Sequence, residues 1–151
     1  DQIDVLLHKE SIIHSLVEYE DTSVIAQLGT PDMRVPIQYA LTYPDRLPLI
    51  GGNRLNLAEI GKLHFKEVDF DRYRALKLAY DAGREGGTML TAMNAANEAA
   101  VQLFLEEKIS FLQIEDIIEQ VMLSHTNVQN PDLETILHVD RETRKTVLHM
   151  V

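Results

Sequence analysis

Two histidines and two serines stand inside one apolar run, "LLHKESIIHS" at 6–15. An imidazole can move protons near neutral pH or ligate a metal, and a serine hydroxyl beside it can be made nucleophilic. His8 and His14 have an even spacing, which on one continuous strand would put both on one face. Lys9-Glu10 interrupts the apolar run, so the two histidines are expected on different elements. No third ligand stands at a suitable spacing, which argues against zinc. What remains is a satisfied histidine on a half-buried strand, with His14 on the face of Ile12, Leu16 and Glu18. His125, His138 and His149 fall on the later, helical part and read as surface or helix-end residues.

Other polar groupings point more to structure than to chemistry. "REGGT" (84–88) puts two glycines before a helix start, where an anion can bind, but no lysine follows and no strand precedes. It reads as a helix–helix turn. Glu106-Glu107 and Glu115-Asp116-Glu119 read as solvated helix charges, because carboxylates do acid–base work only when shielded. In "MNAANEAA" (93–100), Asn94, Asn97 and Glu98 share one stripe of an apolar helix. Amides so placed need partners, and a network that fixes helix docking is expected. "LGTPDMR" (28–34) reads as a stiff turn with an adaptable methionine.

The elements that must position these residues fall into three zones, and the fold class they imply is α+β. In the first, "IDVLLH" (3–8) reads as a buried strand. "SIIHSLVEY" (11–19) and "VIAQLG" (24–29) flank the polar "EDTS" and read as a hairpin. Pro31 suits a first helical turn, whereas Pro36 would break that helix; a turn through "PDMR" with the helix starting near Val35-Pro36 reconciles both. The second zone holds Pro44, Pro48, Gly51 and Gly52 and reads as a linker with a short helix near 55–63. The third is helical. Its expected helices cover 70–83 with Gly83 as the stop, 87–108 with Thr88 as N-cap, 113–125, 131–139 and 140–150 with Asp140 as a cap. Ile114, Ile117, Ile118 and Val121 make its clearest amphipathic stripe. Short connections between such helices predict a bundle.

Composition narrows the function classes. The 151 residues carry 45% hydrophobic and 25% charged side chains, which are globular values. With no cysteine, disulfides, thiolate zinc sites and cysteine nucleophiles are excluded, and a reducing cytoplasm fits. The net charge of −10 without a basic stripe disfavours nucleic acid and anionic membrane surfaces. No apolar run reaches the roughly 18 residues of a membrane span, and no signal peptide is expected. The chain opens at "DQIDVLLH", within what reads as a strand, and is expected to be a fragment of a longer protein. Residue types and spacing alone name no reaction.

"VLLHKESIIHSLVEY", "VIAQLGTPDMR" and "NAANE", in this order and spacing, resemble the C-terminal part of the 1-deoxy-D-xylulose 5-phosphate reductoisomerase family. "LTYPDRL", "LHFKEVDFDRYRALKLAYDA" and "EGGT" are similar to that family too, and the likeness is weakest after about residue 124. The resemblance implies a homodimeric bacterial, cytoplasmic enzyme of the non-mevalonate isoprenoid pathway. It would rearrange and reduce the sugar phosphate to 2-C-methyl-D-erythritol 4-phosphate with NADPH and Mg or Mn. It implies that 1–42 is the end of a catalytic domain, with strand and hairpin belonging to its sheet, that 43–68 is a linker, and that 69–151 is an all-α C-terminal bundle.

The same resemblance implies the site residues. His14 is the second histidine of the family's H-x-x-S-x-x-H-S pattern and the expected catalytic residue. Ser11 belongs to the same motif, and Pro31 and Met33 are expected to face substrate and its closing lid. Lys9 stands where the family usually has proline, and Thr22 where its hairpin turn usually has glycine. The nucleotide-binding region, the acidic metal ligands and the phosphate grip are expected outside this chain, on the missing N-terminal and catalytic portions. Alone, the chain is expected to bind neither cofactor nor metal and to be inactive. The competing expectation is a non-catalytic helical module that stabilises or pairs protomers.

Overall fold

A computed structural model describes residues 2–151, which separate into two compact units, 2–68 and 69–151. The first is built of short strands and helices, the second of helices alone, so the fold is α+β.

In the first unit, strand β1 (Leu6–His8) does not pair with the strand that follows it in sequence; its partner comes from much later in the chain. Strand β2 (Ile13–Glu18) and strand β3 (Val24–Leu28) form the hairpin, running from Ile13 opposite Leu28 to Glu18 opposite Val24. The turn closes where Thr22 N–H donates to Tyr19 O at 2.9 Å and Asp21 Oδ1 accepts from both the amide and the hydroxyl of Ser23. Thr22 has φ 67, the left-handed value that a three-residue hairpin loop demands and that a β-branched residue resists.

Helix α1 (Arg34–Thr42) begins after the "PDMR" turn, with Met33 at its N-cap and Pro36 in the first turn, where a missing N–H costs nothing. Asp32 starts it by accepting the Arg34 N–H at 3.0 Å. Pro31 lies before the helix rather than in its first turn. The short helix α2 (Leu57–Ile60) is capped by the Asn56 side chain, which accepts from Ala58 N–H. Strand β4 (Phe65–Glu67) follows and is the partner of β1, in the register Leu6–Glu67, Leu7–Lys66 and His8–Phe65. The 43–68 stretch therefore supplies half of a sheet as well as a connection. Strand β1 is shorter than the expected 3–8 because pairing begins only at Leu6.

The second unit packs α3 (Arg74–Glu85), α4 (Met89–Leu105), α5 (Phe111–Ser124) and α6 (Leu133–Leu148) around one apolar core. Ala92, Ala96, Ala99 and Ala100 on α4 meet Ile114, Ile117, Ile118 and Val121 on α5 and Val147 on α6. Small side chains on the central helix let its neighbours approach closely, and the branched ones fill the gaps at interior density. The expected stripe on α5 is buried throughout.

Several helix ends differ from expectation, each for a local reason. Gly83 lies inside α3; the stop is Gly86, whose φ of 70 suits glycine and whose N–H returns to Ala82 O. Thr88 occupies the N-cap position of α4 but its side chain makes no capping bond. Asn127 caps from a distant loop instead, its Oδ1 accepting the Met89 N–H at 3.1 Å. Ser110 and Gln113 form a capping box that opens α5 earlier than expected. The last two expected helices are one: Asp132 is the cap, accepting from Thr135 N–H at 2.8 Å, and Asp140 sits mid-helix, held by Arg144 one turn on.

Candidate functional site

The hairpin register slips between Ile13 and Ser15: Ile13 faces Leu28 and Ser15 faces Gln27, so His14 is the extra residue of a β-bulge. A bulge breaks the two-residue alternation and re-aims the side chain it carries. The expected common face of Ile12, His14, Leu16 and Glu18 is therefore interrupted: Ile12 is buried at 8% while Leu16 is 42% exposed. The His14 side chain is exposed and has no hydrogen-bond partner among the described residues. It lines an open groove of about 770 Å³ in the first unit, together with Asp4, Leu6, Ser15, Glu18 and Phe65. That volume suits a small molecule, and the lining mixes apolar surface with a few polar groups.

His8 is placed differently. Its side chain is 8% exposed and its ring stacks on Phe65, centroids 4.8 Å apart. Nδ1 lies 2.9 Å from the His64 carbonyl oxygen, so it carries the proton and donates. Nε2 accepts the Ile12 N–H at 3.1 Å. The two bonds together require the Nδ1–H tautomer. Glu10 braces the same corner: Oε1 lies 2.5 Å from His64 Nδ1, and Oε2 accepts the His64 N–H at 3.0 Å and stands 3.3 Å from His8 Nδ1. The His64 side-chain bond, then its backbone bond, hold the Glu10 carboxyl down at about 2.

The remaining candidates sit on turns. Ser11 is exposed, with φ 51, where the chain doubles back from β1 toward β2. Pro31 and Met33 flank Asp32, and Met33 is 71% exposed. The Asp32 carboxylate is held below its usual range by the Arg34 guanidinium, with two contacts to Nε and one of 2.7 Å to Nη2. This stiffens the turn that presents both residues. Ser11, Pro31 and Met33 do not line the groove that holds His14.

In the second unit, Asn94 donates to Glu98, and Glu98 meets Arg144 of α6 at 2.5 Å, so this stripe ties α4 to α6 as expected of a docking network. Asn97 takes no part in it. The acids of α5 are not merely solvated: Asp116 and Glu119 both pair with Arg74 of α3. A polar knot that sequence reading missed joins Thr88, His125 and Asn127. Thr88 Oγ1 lies 2.8 Å from His125 Nε2 and accepts the Val128 N–H at 2.9 Å. Burial pushes the His125 imidazole below its ordinary value, partly opposed by Glu85. Only the paired glycines of "REGGT" hinted at so close an approach.

Among the described residues, no three His, Asp or Glu side chains converge as a metal site would require. No described helix is long and apolar enough to cross a membrane.

Comparisons with known proteins set these features in context. The family described as DXP reductoisomerase C-terminal domain matches residues 28–146. The 1-deoxy-D-xylulose 5-phosphate reductoisomerase of Lysinibacillus sphaericus is 74% identical over all of this chain, which covers 40% of that relative. The Halalkalibacterium halodurans protein of the same name is 60% identical over the same span. A solved reductoisomerase from Zymomonas mobilis in complex with NADPH aligns over 97% of this chain and 39% of its own, at 38% identity and TM-score 0.84. A DOX-P reductoisomerase in complex with NADPH, fosmidomycin and magnesium aligns over 95% and 37%, at 42% identity and TM-score 0.87. The chain thus spans about two fifths of the length of the relatives it matches.

Proposed function

The chain belongs to the DXP reductoisomerase C-terminal domain family, and from that premise we propose that it serves as the C-terminal portion of a 1-deoxy-D-xylulose 5-phosphate reductoisomerase. The whole enzyme would rearrange the sugar phosphate and reduce the product to 2-C-methyl-D-erythritol 4-phosphate. NADPH would supply the hydride, and Mg or Mn would polarise the reacting oxygens. Because the chain spans about two fifths of its relatives' length, both are assigned to chain outside this segment.

What this chain supplies is a wall. The observation that carries the reading is His14, exposed at a β-bulge and lining the groove, with its imidazole uncommitted among the described residues. There it would hydrogen-bond a substrate oxygen and fix its orientation. Such positioning lowers a barrier by holding the reacting geometry. Pro31 and Met33, on a turn stiffened by Asp32, would meet a lid that excludes water and strengthens electrostatics within. Ser11 would hold the corner that delivers β2. Residues 1–42 are assigned to the catalytic domain, 43–68 to a linker that lends it β4, and 69–151 to the helical bundle. The hairpin exposes Val17, Val24 and Ile25, which supports a homodimeric assembly through this face. A bacterial cytoplasmic location fits the bacterial relatives and the lack of cysteine.

A second reading holds for the chain in isolation. The second unit closes its own core on α4, which favours a structural module without activity of its own. The two are separated by one assay. With the deoxyxylulose substrate, NADPH and magnesium, the purified 151-residue chain should oxidise no NADPH, while a reductoisomerase of the relatives' length carrying it should turn over. Turnover by the chain alone would contradict this division of labour.

A further inference from the structure

We propose that His8 is a positioning residue for the site wall, acting through the backbone of Ile12. The proposal rests on the reading of His14 as a substrate-facing residue.

Ile12 stands where both arms of the wall meet. Its side chain is buried, its N–H is held by His8 Nε2 at 3.1 Å, and its carbonyl accepts the Gly29 N–H at 3.0 Å. His14 lies two residues further along the chain, at the bulge. Gly29 opens the segment that carries Pro31 and Met33. One imidazole therefore holds the residue from which both arms start. Without it, the Ile12 N–H precedes β2 and has no ladder partner, and an unpaired amide next to a buried side chain is costly.

The imidazole is itself fixed on every side. Nδ1–H donates to the His64 carbonyl, Phe65 stacks on the ring, and Glu10 ties the His64 amide and ring to the same corner. Ser11, with φ 51, supplies the reversal that returns Ile12 onto the ring. Lysine could not replace His8, because it has no acceptor. Asparagine and glutamine each keep half of its function. Asparagine can place an N–H where Nδ1 stands, but it reaches no acceptor to Ile12. Glutamine can bring its Oε1 to the place of Nε2 and accept the Ile12 N–H.

The test uses a reductoisomerase of the relatives' length that carries this segment. His8→Asn should lower kcat about tenfold to a hundredfold, the scale of a misplaced positioning group, with a smaller change in KM. His8→Gln should keep most of kcat. Equal behaviour of the two variants, both active or both impaired, overturns the route through Ile12. His14→Gln is run beside them. If it leaves kcat unchanged, the underlying reading of the site fails, whatever the His8 variants do. If His14→Gln is impaired while the His8 pair behaves alike, only the positioning role fails. Should the His8 variants not fold, nitrogen NMR of the unmutated enzyme decides. His8 must show a protonated Nδ1 and an unprotonated Nε2, and the opposite tautomer or an averaged ring overturns the proposal.

Discussion

His14 and His8 have the same side chain in opposite surroundings. His8 has both nitrogens engaged and a phenyl ring against its face, whereas His14 projects from a bulge with no partner among the described residues. Their separation onto different elements was legible from the charged Lys9-Glu10 break. The bulge was not, because a two-residue pattern presumes the regular pleat that a bulge interrupts. Nor was the part played by Glu10, whose partner His64 lies far along the chain. That contact has a measurable consequence. The Glu10 carboxyl ionises at about 2 in the fold, against an ordinary 4.5. A depressed carboxyl stabilises above its unfolded value and loses that contribution as pH falls toward the folded one. Glu10→Gln should therefore be less stable than the parent at pH 7, with the gap closing between 4.5 and about 2. Denaturant midpoints across that range check it, and a gap independent of pH would show that the bond to His64 does not depend on charge.

At the scale of elements, the long apolar periodicities were the readable part. The α5 stripe is buried as its spacing predicts, because tertiary packing and local pattern agree there. Helix ends were less readable, since the caps come from contacts that spacing does not encode. Asp140 looked like a cap but forms an i,i+4 pair with Arg144 inside α6. Thr88 looked like a cap but faces His125, while Asn127 caps α4 from the α5–α6 connection. The glycines before α4 separate two causes of intolerance. Both have left-handed φ, but a Cβ on Gly87 would stand 2.5 Å from Val128 O and 2.6 Å from Asn127 Oδ1, whereas on Gly86 the nearest atom is 4.0 Å away. Gly86→Ala should cost about 1–3 kcal/mol, the backbone term alone, because φ 70 with ψ −157 is a region essentially reserved to glycine. Gly87→Ala should cost at least about 3 kcal/mol, because the clash falls largely on backbone and cannot be relieved by a rotamer change. Urea unfolding of the two variants measures both, and equal losses would show that the loop yields.

At the scale of the whole molecule, two units meet different demands. The second encloses a core on α4 and needs little else to explain its fold. The first leaves Ile25, Met33 and Leu41 exposed, and its described strands pair only two by two. The closing of β1 onto β4 across the 43–68 stretch was not legible in the sequence. Pairing over so many residues depends on tertiary contacts rather than on local propensity. The account stands most directly on His14. In a reductoisomerase of the relatives' length carrying this segment, His14→Gln should lower kcat at least about tenfold while the melting temperature stays within about 2 °C of the parent, since an exposed residue contributes little to stability. Unchanged turnover together with a drop of several degrees would contradict it, and would make His14 a structural residue of the hairpin.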